Sequence, residues 1–196
     1  MRLGSLIGLF FSCSLIVAGC SSANLRSNDD PHIAHLGSGV TLDLTALEWP
    51  LPPLALYQQI SFSIGAERAQ MEALLEIAEN KVHLSLLDQL GREAAQLSWS
   101  NSQLKAEQAS WLSISVPPEN LIADLALVYW PIAELTEALP SNVTVIEASG
   151  RRTINSQGKT LVIVEYSKGP GQLEIVTLEN KVLGYLVTTQ STVLSP

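Results

Sequence analysis

The most regular stretch of the sequence runs from residue 57 to residue 64 and reads Tyr57-Gln58-Gln59-Ile60-Ser61-Phe62-Ser63-Ile64. Apolar side chains at positions 60, 62 and 64 alternate with polar side chains at positions 59, 61 and 63. Successive side chains of a β-strand point to opposite faces, so this period of two predicts a strand with one apolar face. That face needs a cover, which the rest of the chain must supply.

The same alternation returns along most of the chain. Turn-forming residues such as Asn80 and Gly91 separate the alternating stretches, and short strands joined by tight turns are typical of an antiparallel meander. The stretches lie at residues 70–77, 82–86, 95–99, 103–108, 143–146, 152–154, 161–166, 173–178 and 184–189. The pattern predicts about nine to eleven antiparallel strands whose apolar side chains share one side of a curved sheet.

The period changes to that of a helix within residues 117–140. Leu121, Leu125 and Val128 recur on one helical face. Trp130-Pro131 ends or bends this helix, because the residue before a proline avoids helical backbone, and a second short helix follows. The sequence therefore predicts an α+β fold, mainly antiparallel β, with an inserted helical pair able to lie across the sheet.

Residues 1–19 have the pattern of a secretory signal, in which Arg2 precedes an apolar run too short to span a bilayer. The run ends in Val17-Ala18-Gly19-Cys20, which resembles the lipobox of bacterial lipoproteins. This resemblance implies that Cys20 becomes the first mature residue and carries a diacylglycerol and an N-acyl group. We expect no other cofactor and no bound metal. Ser21, by resemblance to the sorting rule of such lipoproteins, implies attachment to the outer membrane, facing the periplasm.

The segment after the cysteine is polar and rich in small residues. It predicts a lipid anchor and flexible tether over residues 20–50, followed by the folded domain over residues 51–196. His32 and His35 fall in this segment, where Asp29 and Asp30 are the nearest further metal ligands. We expect an incidental role for both histidines rather than a metal site.

The composition excludes several classes of function. The chain has 196 residues and a net charge of −8, with 11 Lys and Arg against 19 Asp and Glu. This balance leaves no basic face that would neutralise phosphates, so we expect no nucleic-acid partner. Two cysteines are too few for a disulfide scaffold in a chain of this length, and one of them falls in the predicted signal.

A diffuse set of residues resembles an uncharacterised family of small bacterial outer-membrane lipoproteins, over roughly residues 51–189. These residues are Leu51-Pro52-Pro53, Gln58-Gln59, Leu121-Ile122-Ala123-Asp124-Leu125, Trp130-Pro131, Leu135, Leu139-Pro140, Arg151-Arg152, Tyr166, Asn180 and Gly184-Tyr185. That family is similar in organisation to the LolA/LolB lipoprotein carriers. The resemblance implies a half-barrel in which a curved antiparallel sheet encloses an apolar cavity under a helical lid. It also implies a genetic association with fatty-acid-like or aryl-polyene synthesis and export.

If such a cavity exists, apolar residues of the strands and of the first helix are its candidate lining. They are Leu75, Ile77, Leu84, Leu86, Leu97, Trp99, Trp111, Leu121, Leu125 and Trp130. Leucine, isoleucine and tryptophan serve equally well to fill a core, so the sequence leaves open whether the space under the helices is empty or packed.

Catalytic motifs are absent from the sequence. It has no nucleophile elbow, no His-Glu-x-x-His and no glycine-rich phosphate loop. Asp124 and Glu165 are carboxylates that could act as a general base, yet neither has a visible partner. We therefore expect no enzyme and no catalytic residue.

The sequence leads to two functional hypotheses. The first is an anchored periplasmic lipoprotein that binds acyl chains or lipidated cargo non-covalently, linked to lipoprotein or aryl-polyene and lipid transport. Its partners would be the membrane, through the anchor, the lipid or lipoprotein cargo, and the lipoprotein sorting machinery. The alternative is a non-enzymatic scaffold or assembly lipoprotein with a filled core, which docks a protein partner.

Overall fold

A computed structural model describes residues 30–46, 52–78, 80–112, 116–170 and 173–194. Cys20, the predicted signal over residues 1–19 and the first part of the predicted tether lie outside the described residues.

Within the described residues, ten strands form one curved, open, antiparallel sheet. The strands are β3 (Leu54–Ile64), β4 (Glu67–Ala78), β5 (Lys81–Leu87), β6 (Glu93–Ser100), β7 (Gln103–Gln108), β8 (Val143–Ala148), β9 (Arg151–Ser156), β10 (Lys159–Lys168), β11 (Glu174–Asn180) and β12 (Tyr185–Val193). Their order in the sheet is β7-β6-β5-β4-β3-β12-β11-β10-β9-β8, so two meanders join where β3 pairs with β12. The predictions of a mainly antiparallel fold and of the number of strands are confirmed, and the sheet is compatible with a half-barrel.

The register of the central strands explains why one face is buried. Ile60 of β3 pairs with Met71 of β4 and with Thr189 of β12, and Phe62 pairs with Val187. Cross-strand partners share a face, so the alternation that the sequence shows in β3 continues into both arms of the sheet. This shared face is the concave one and carries the core.

Two helices follow β7, of which the first lies across the concave face and the second packs against the edge strand β8. They are α1 (Pro118–Tyr129) and α2 (Ile132–Ala138), and both were predicted. Pro118 lies in the first turn of α1, where a missing N–H costs no helical bond, and Trp130 ends the helix in extended backbone before Pro131. Neither helix of the described ranges combines the length and apolar character needed to cross a bilayer.

A β-hairpin precedes the large sheet and corrects the predicted tether. Strands β1 (Ile33–Gly37) and β2 (Val40–Asp43) pair with each other, and a short 3-10 helix (Leu44–Ala46) follows. Leu36 and Leu42 are fully buried, and burying one such side chain contributes about 1.5–3 kcal/mol. The prediction of a flexible tether over residues 20–50 is therefore wrong for residues 33–46, which are part of the folded domain.

This hairpin packs inside the curve of the sheet and contacts both of its arms, which are the strands on either side of the β3–β12 pair. The His32 ring lies 6.1 Å from the Trp99 ring of β6, centroid to centroid, and Asn180 of β11 donates a hydrogen bond to the Leu36 carbonyl at 3.2 Å. Gly37 has a φ of +100°, and a Cβ there would lie 2.5 Å from Cγ1 of Val182. The close approach requires glycine at this position.

Candidate functional site

A cavity of about 130 Å³ lies between α1 and the concave face of the sheet, and it is partly open to solvent. An engineered apolar cavity of about 150 Å³ binds benzene, so this space accepts several carbon atoms. Its walls are mostly apolar. The apolar lining residues are Ile60, Phe62, Met71, Leu84, Leu86, Ala95, Leu112, Val116, Leu121, Leu125, Val128, Val176, Leu178 and Val187.

A hydrogen-bonded cluster of polar side chains closes one side of this cavity. Gln58 of β3 is buried and donates through Nε2 to the Tyr129 hydroxyl at 3.1 Å and to the Ser191 hydroxyl at 2.9 Å. Burial raises the pKa of Tyr129 to about 12, so its hydroxyl stays neutral at physiological pH. A buried polar group on an apolar face needs hydrogen-bond partners, and this cluster supplies them to the Gln58 amide.

Beyond this cluster lies a second, wider and more polar recess of about 600 Å³. Ser191 lines this recess, whereas Gln58 and Tyr129 line the first cavity, so the hydrogen bonds of Gln58 stand between the two spaces. Lys168 and Glu174 bring charged groups to the wall of the recess.

Asp124 of α1 brings a carboxyl group to the wall of the apolar cavity. Its Oδ1 accepts a hydrogen bond of 2.8 Å from the Tyr185 hydroxyl of β12. Burial away from bulk water raises the pKa of Asp124 to about 7, against the smaller opposing effect of the Tyr185 hydrogen bond. The same burial, together with the Asp124 charge, raises the pKa of Tyr185 well above its ordinary value. In the described part of the chain, no three His, Cys, Asp or Glu side chains form a group that could hold a metal ion.

Two side chains of the sheet fix the C-terminal end of α1. Arg152 of β9 is buried and donates through one terminal nitrogen to the Leu127 and Trp130 carbonyls, each at 2.8 Å. A cation at this end also complements the helix dipole. The Tyr166 hydroxyl donates to the Val128 carbonyl at 2.7 Å. The end of the helix that carries Trp130 is therefore tied to the sheet.

Comparison with protein families places the described site in a known sequence family. The profile of a family described as protein of unknown function DUF3261 matches residues 55–192, which is more than half of the chain. The chain belongs to the DUF3261 family. No curated protein matches the chain. Membership confirms the resemblance to an uncharacterised family, while the lipoprotein anchor and the likeness to LolA and LolB remain predictions.

All residues that line the two cavities fall within the part of the chain that matches DUF3261, apart from Val193 at its end. The hairpin β1–β2 precedes the matched residues. The matched range thus spans nearly all of the ten-stranded sheet and both helices.

Four of the ten predicted lining residues line the cavity in this DUF3261 protein. They are Leu84, Leu86, Leu121 and Leu125. Their strand and helix positions put them on the faces that point toward each other, as the alternation and the helical period predicted.

The other six residues lie elsewhere, which corrects the predicted lining. Leu75, Ile77, Leu97 and Trp99 are packed in the core, and Trp130 is buried at the junction of the helices. Trp99 is covered by His32 of the unpredicted hairpin segment. Trp111 is 43% exposed, with the Arg92 guanidinium 4.5 Å from its ring centroid, a cation–π contact on the surface.

The polar residues of the site were not predicted as a group, although the sequence of this DUF3261 chain carries a signal for two of them. Gln58 is in phase with Ile60 and Phe62, so it interrupts an otherwise apolar strand face. Asp124 is in phase with Leu121 and Leu125 on α1. A polar residue at an apolar position marks a group that needs a buried partner, and this rule identifies both.

The adjacent residues Arg151 and Arg152 lie in different environments. Arg151 is exposed and lies 3.7 Å from Glu165, whereas Arg152 is buried against Glu147 at 2.7 Å. Alternate residues of a strand face opposite sides, so neighbours in sequence have different environments.

Proposed function

We propose that this protein is an outer-membrane-anchored periplasmic lipoprotein that binds the acyl chain of a lipid or a lipidated cargo without covalent chemistry. The cavity between α1 and the concave face of the sheet carries the proposal, because its walls are apolar and it is open enough to admit a ligand. An open curved sheet under a helix is also the organisation for which we propose a likeness to LolA and LolB.

The energetics of this cavity suit a hydrocarbon chain. Each buried methylene contributes about 0.8 kcal/mol, so ten of them contribute about 8 kcal/mol before the costs of ordering the ligand. The volume of about 130 Å³ accommodates part of such a chain, and a longer chain requires α1 to shift.

The contacts of α1 indicate which end shifts. Arg152 and Tyr166 hold its C-terminal end, which argues against a hinge at Trp130-Pro131. Near the N-terminal end, Asn120 donates to the His35 carbonyl of the hairpin at 2.8 Å. We propose that the N-terminal half of α1 moves away from the sheet to widen the cavity.

The proposed anchor is the lipid on Cys20. A single acyl chain gives only marginal membrane binding, whereas several chains on one residue make attachment effectively permanent. The acidic chain is repelled by anionic headgroups, so attachment rests on these acyl chains.

Substitution of Leu125 by glutamate tests the cavity as the binding site. The strands and helices of the described residues fall within residues 33–193, and a chain of residues 21–196 contains all of them. We expect this chain to bind the neutral fluorophore N-phenylnaphthylamine and to release it when decanol is added. Leu125→Glu places a charge in the apolar wall and should abolish this binding.

Leu74→Glu is the matched control, because Leu74 lies on the outer face of β4 and is exposed. This variant should bind the fluorophore as the unsubstituted chain does. Equal binding by a folded Leu125→Glu variant, or no binding by any of the chains, would refute the proposed site.

A scaffold function is the second candidate, and the hairpin β1–β2 favours it. Its buried side chains fill much of the space inside the curve of the sheet. A protein that binds no ligand needs its core filled in this way. In that case the protein should be free of bound lipid when isolated and should not bind the fluorophore.

A further inference from the structure

The carboxyl group of Asp124 lies in an unusual place for a ligand cavity. It projects from the lid helix α1 into walls that are otherwise mostly apolar, between the lining residues Leu121 and Leu125. Within the described residues, its hydrogen-bond partner is the Tyr185 hydroxyl, which is bound to Oδ1. A carboxylate accepts several hydrogen bonds, so this group retains acceptor capacity on the side of the cavity.

Among the described lining residues of the cavity, no cation balances this carboxylate. None of its described lining residues is a lysine, arginine or histidine, and the remaining polar lining residues are Gln58, Gln108, Tyr129 and Thr189. Arg152, at the C-terminal end of α1, is already bonded to Glu147 and to two carbonyls. A ligand with a carboxylate would therefore place two like charges in one apolar space, which is unfavourable.

We propose that Asp124 selects the ligand of this cavity, and that the ligand carries a hydrogen-bond donor, such as an ammonium, an amide N–H or a hydroxyl, rather than a free carboxylate. This inference rests on the proposed acyl-binding function and names the class of amphiphile that it serves. The aliphatic part contacts Leu121, Leu125 and the strand residues, and the donor meets the free acceptor positions of Asp124. Tyr185 holds the carboxyl group in place for this contact.

The donor of the ligand supplies a hydrogen bond that the fold does not give to the Asp124 carboxylate. A half-buried carboxylate in an apolar wall, with one neutral hydrogen bond, is poorly solvated. A hydrogen bond to a charged group contributes about 1.5–3 kcal/mol. A ligand without a donor leaves that group unsatisfied when it displaces water from the cavity. Selectivity therefore comes as much from the penalty on the wrong ligand as from the attraction of the right one.

Three eight-carbon probes that differ only at the polar end test this inference. We would measure by calorimetry the binding of octylammonium, octanol and octanoate to residues 21–196 at about pH 8.5, where Asp124 is mostly ionised and an alkylamine remains protonated. Octylammonium should bind at least about tenfold more tightly than octanoate. Octanol should lie between them.

The variant Asp124→Asn removes the charge and keeps an oxygen that accepts the Tyr185 hydrogen bond. In this variant the ratio of the two affinities should fall toward one. Glu134→Gln, which removes the same charge at an exposed position of α2, should keep the ratio of the unsubstituted chain. Far-UV circular dichroism of each variant verifies the fold.

The outcomes separate the two proposals. Binding of octylammonium and octanoate with equal affinity, or an unchanged ratio in Asp124→Asn, would overturn the role of Asp124 and leave the cavity as an acyl site. Failure of all three probes to bind would refute the acyl-binding function itself, and the selectivity with it.

Discussion

At the scale of single residues, Asp124 shows how a carboxyl group in the wall of an apolar cavity costs stability. Its pKa of about 7 in the folded chain is above the ordinary value of 3.8, because burial penalises the charged form. The folded state therefore holds this proton more tightly than the unfolded state does. The corresponding stability is fully present below about pH 4 and is lost as the pH rises through about 7.

Asp124→Asn should remove this pH dependence. We expect the variant to match the unsubstituted protein in acid and to be the more stable of the two above pH 7, by about 1.4 kcal/mol for each unit by which the pKa is raised. Urea unfolding followed by circular dichroism across this pH range measures the difference, with Glu134→Gln as the control. A difference in unfolding free energy that stays constant with pH would contradict the assignment.

At the scale of elements, the strands follow from local sequence and the hairpin does not. Ile60, Phe62 and Ile64 alternate over a long strand, so their face and pairing could be predicted. The first hairpin has strands of only five and four residues, next to Gly37 and Gly39. Because it has few apolar side chains, its sequence resembles that of a flexible tether with scattered leucines. Its burial depends on Asn120 and Asn180, which are remote in sequence.

The anchoring of α1 by Arg152 leads to a prediction for this element. Arg152→Ala leaves the Leu127 and Trp130 carbonyls without their donor and should cost about 3 kcal/mol of unfolding free energy. Arg151→Ala, at the exposed neighbouring position, should cost less than about 0.5 kcal/mol. Equal losses for the two variants in urea unfolding would show that the helix end is held by other contacts.

At the scale of the whole molecule, the site depends on contacts between distant parts of the chain. Gln58 and Ser191 meet because β3 pairs with β12, and Asp124 meets Tyr185 across the lid and the sheet. Periodicity assigns each residue to a face of its strand or helix. It does not show which strands and helices meet in the folded chain. The apolar lining of the cavity was therefore partly predictable from the sequence. Its polar groups were not, neither the hydrogen bonds of Gln58 that separate the two cavities nor the carboxyl group of Asp124 in the cavity wall.

The proposed anchor gives a prediction for the complete chain. Cys20→Ala removes the thiol that would take up the diacylglyceryl group, so the mature lipoprotein should no longer form. Metabolic labelling with a radioactive fatty acid should mark the unsubstituted protein and not the variant, and sucrose-gradient fractionation should place only the former in the outer membrane. Normal labelling and outer-membrane fractionation of the variant would refute the lipoprotein assignment.

The central claim is that the cavity under α1 holds an acyl chain, and native mass spectrometry tests it most directly. Residues 21–196 would be purified from the periplasm without detergent and examined beside Leu125→Glu prepared in the same way. We predict an adduct with the mass of an acyl lipid or a polyene on the unsubstituted chain, absent from the variant. A clean unliganded mass, with no uptake of added decanol or octylammonium, would contradict the claim and indicate the scaffold function.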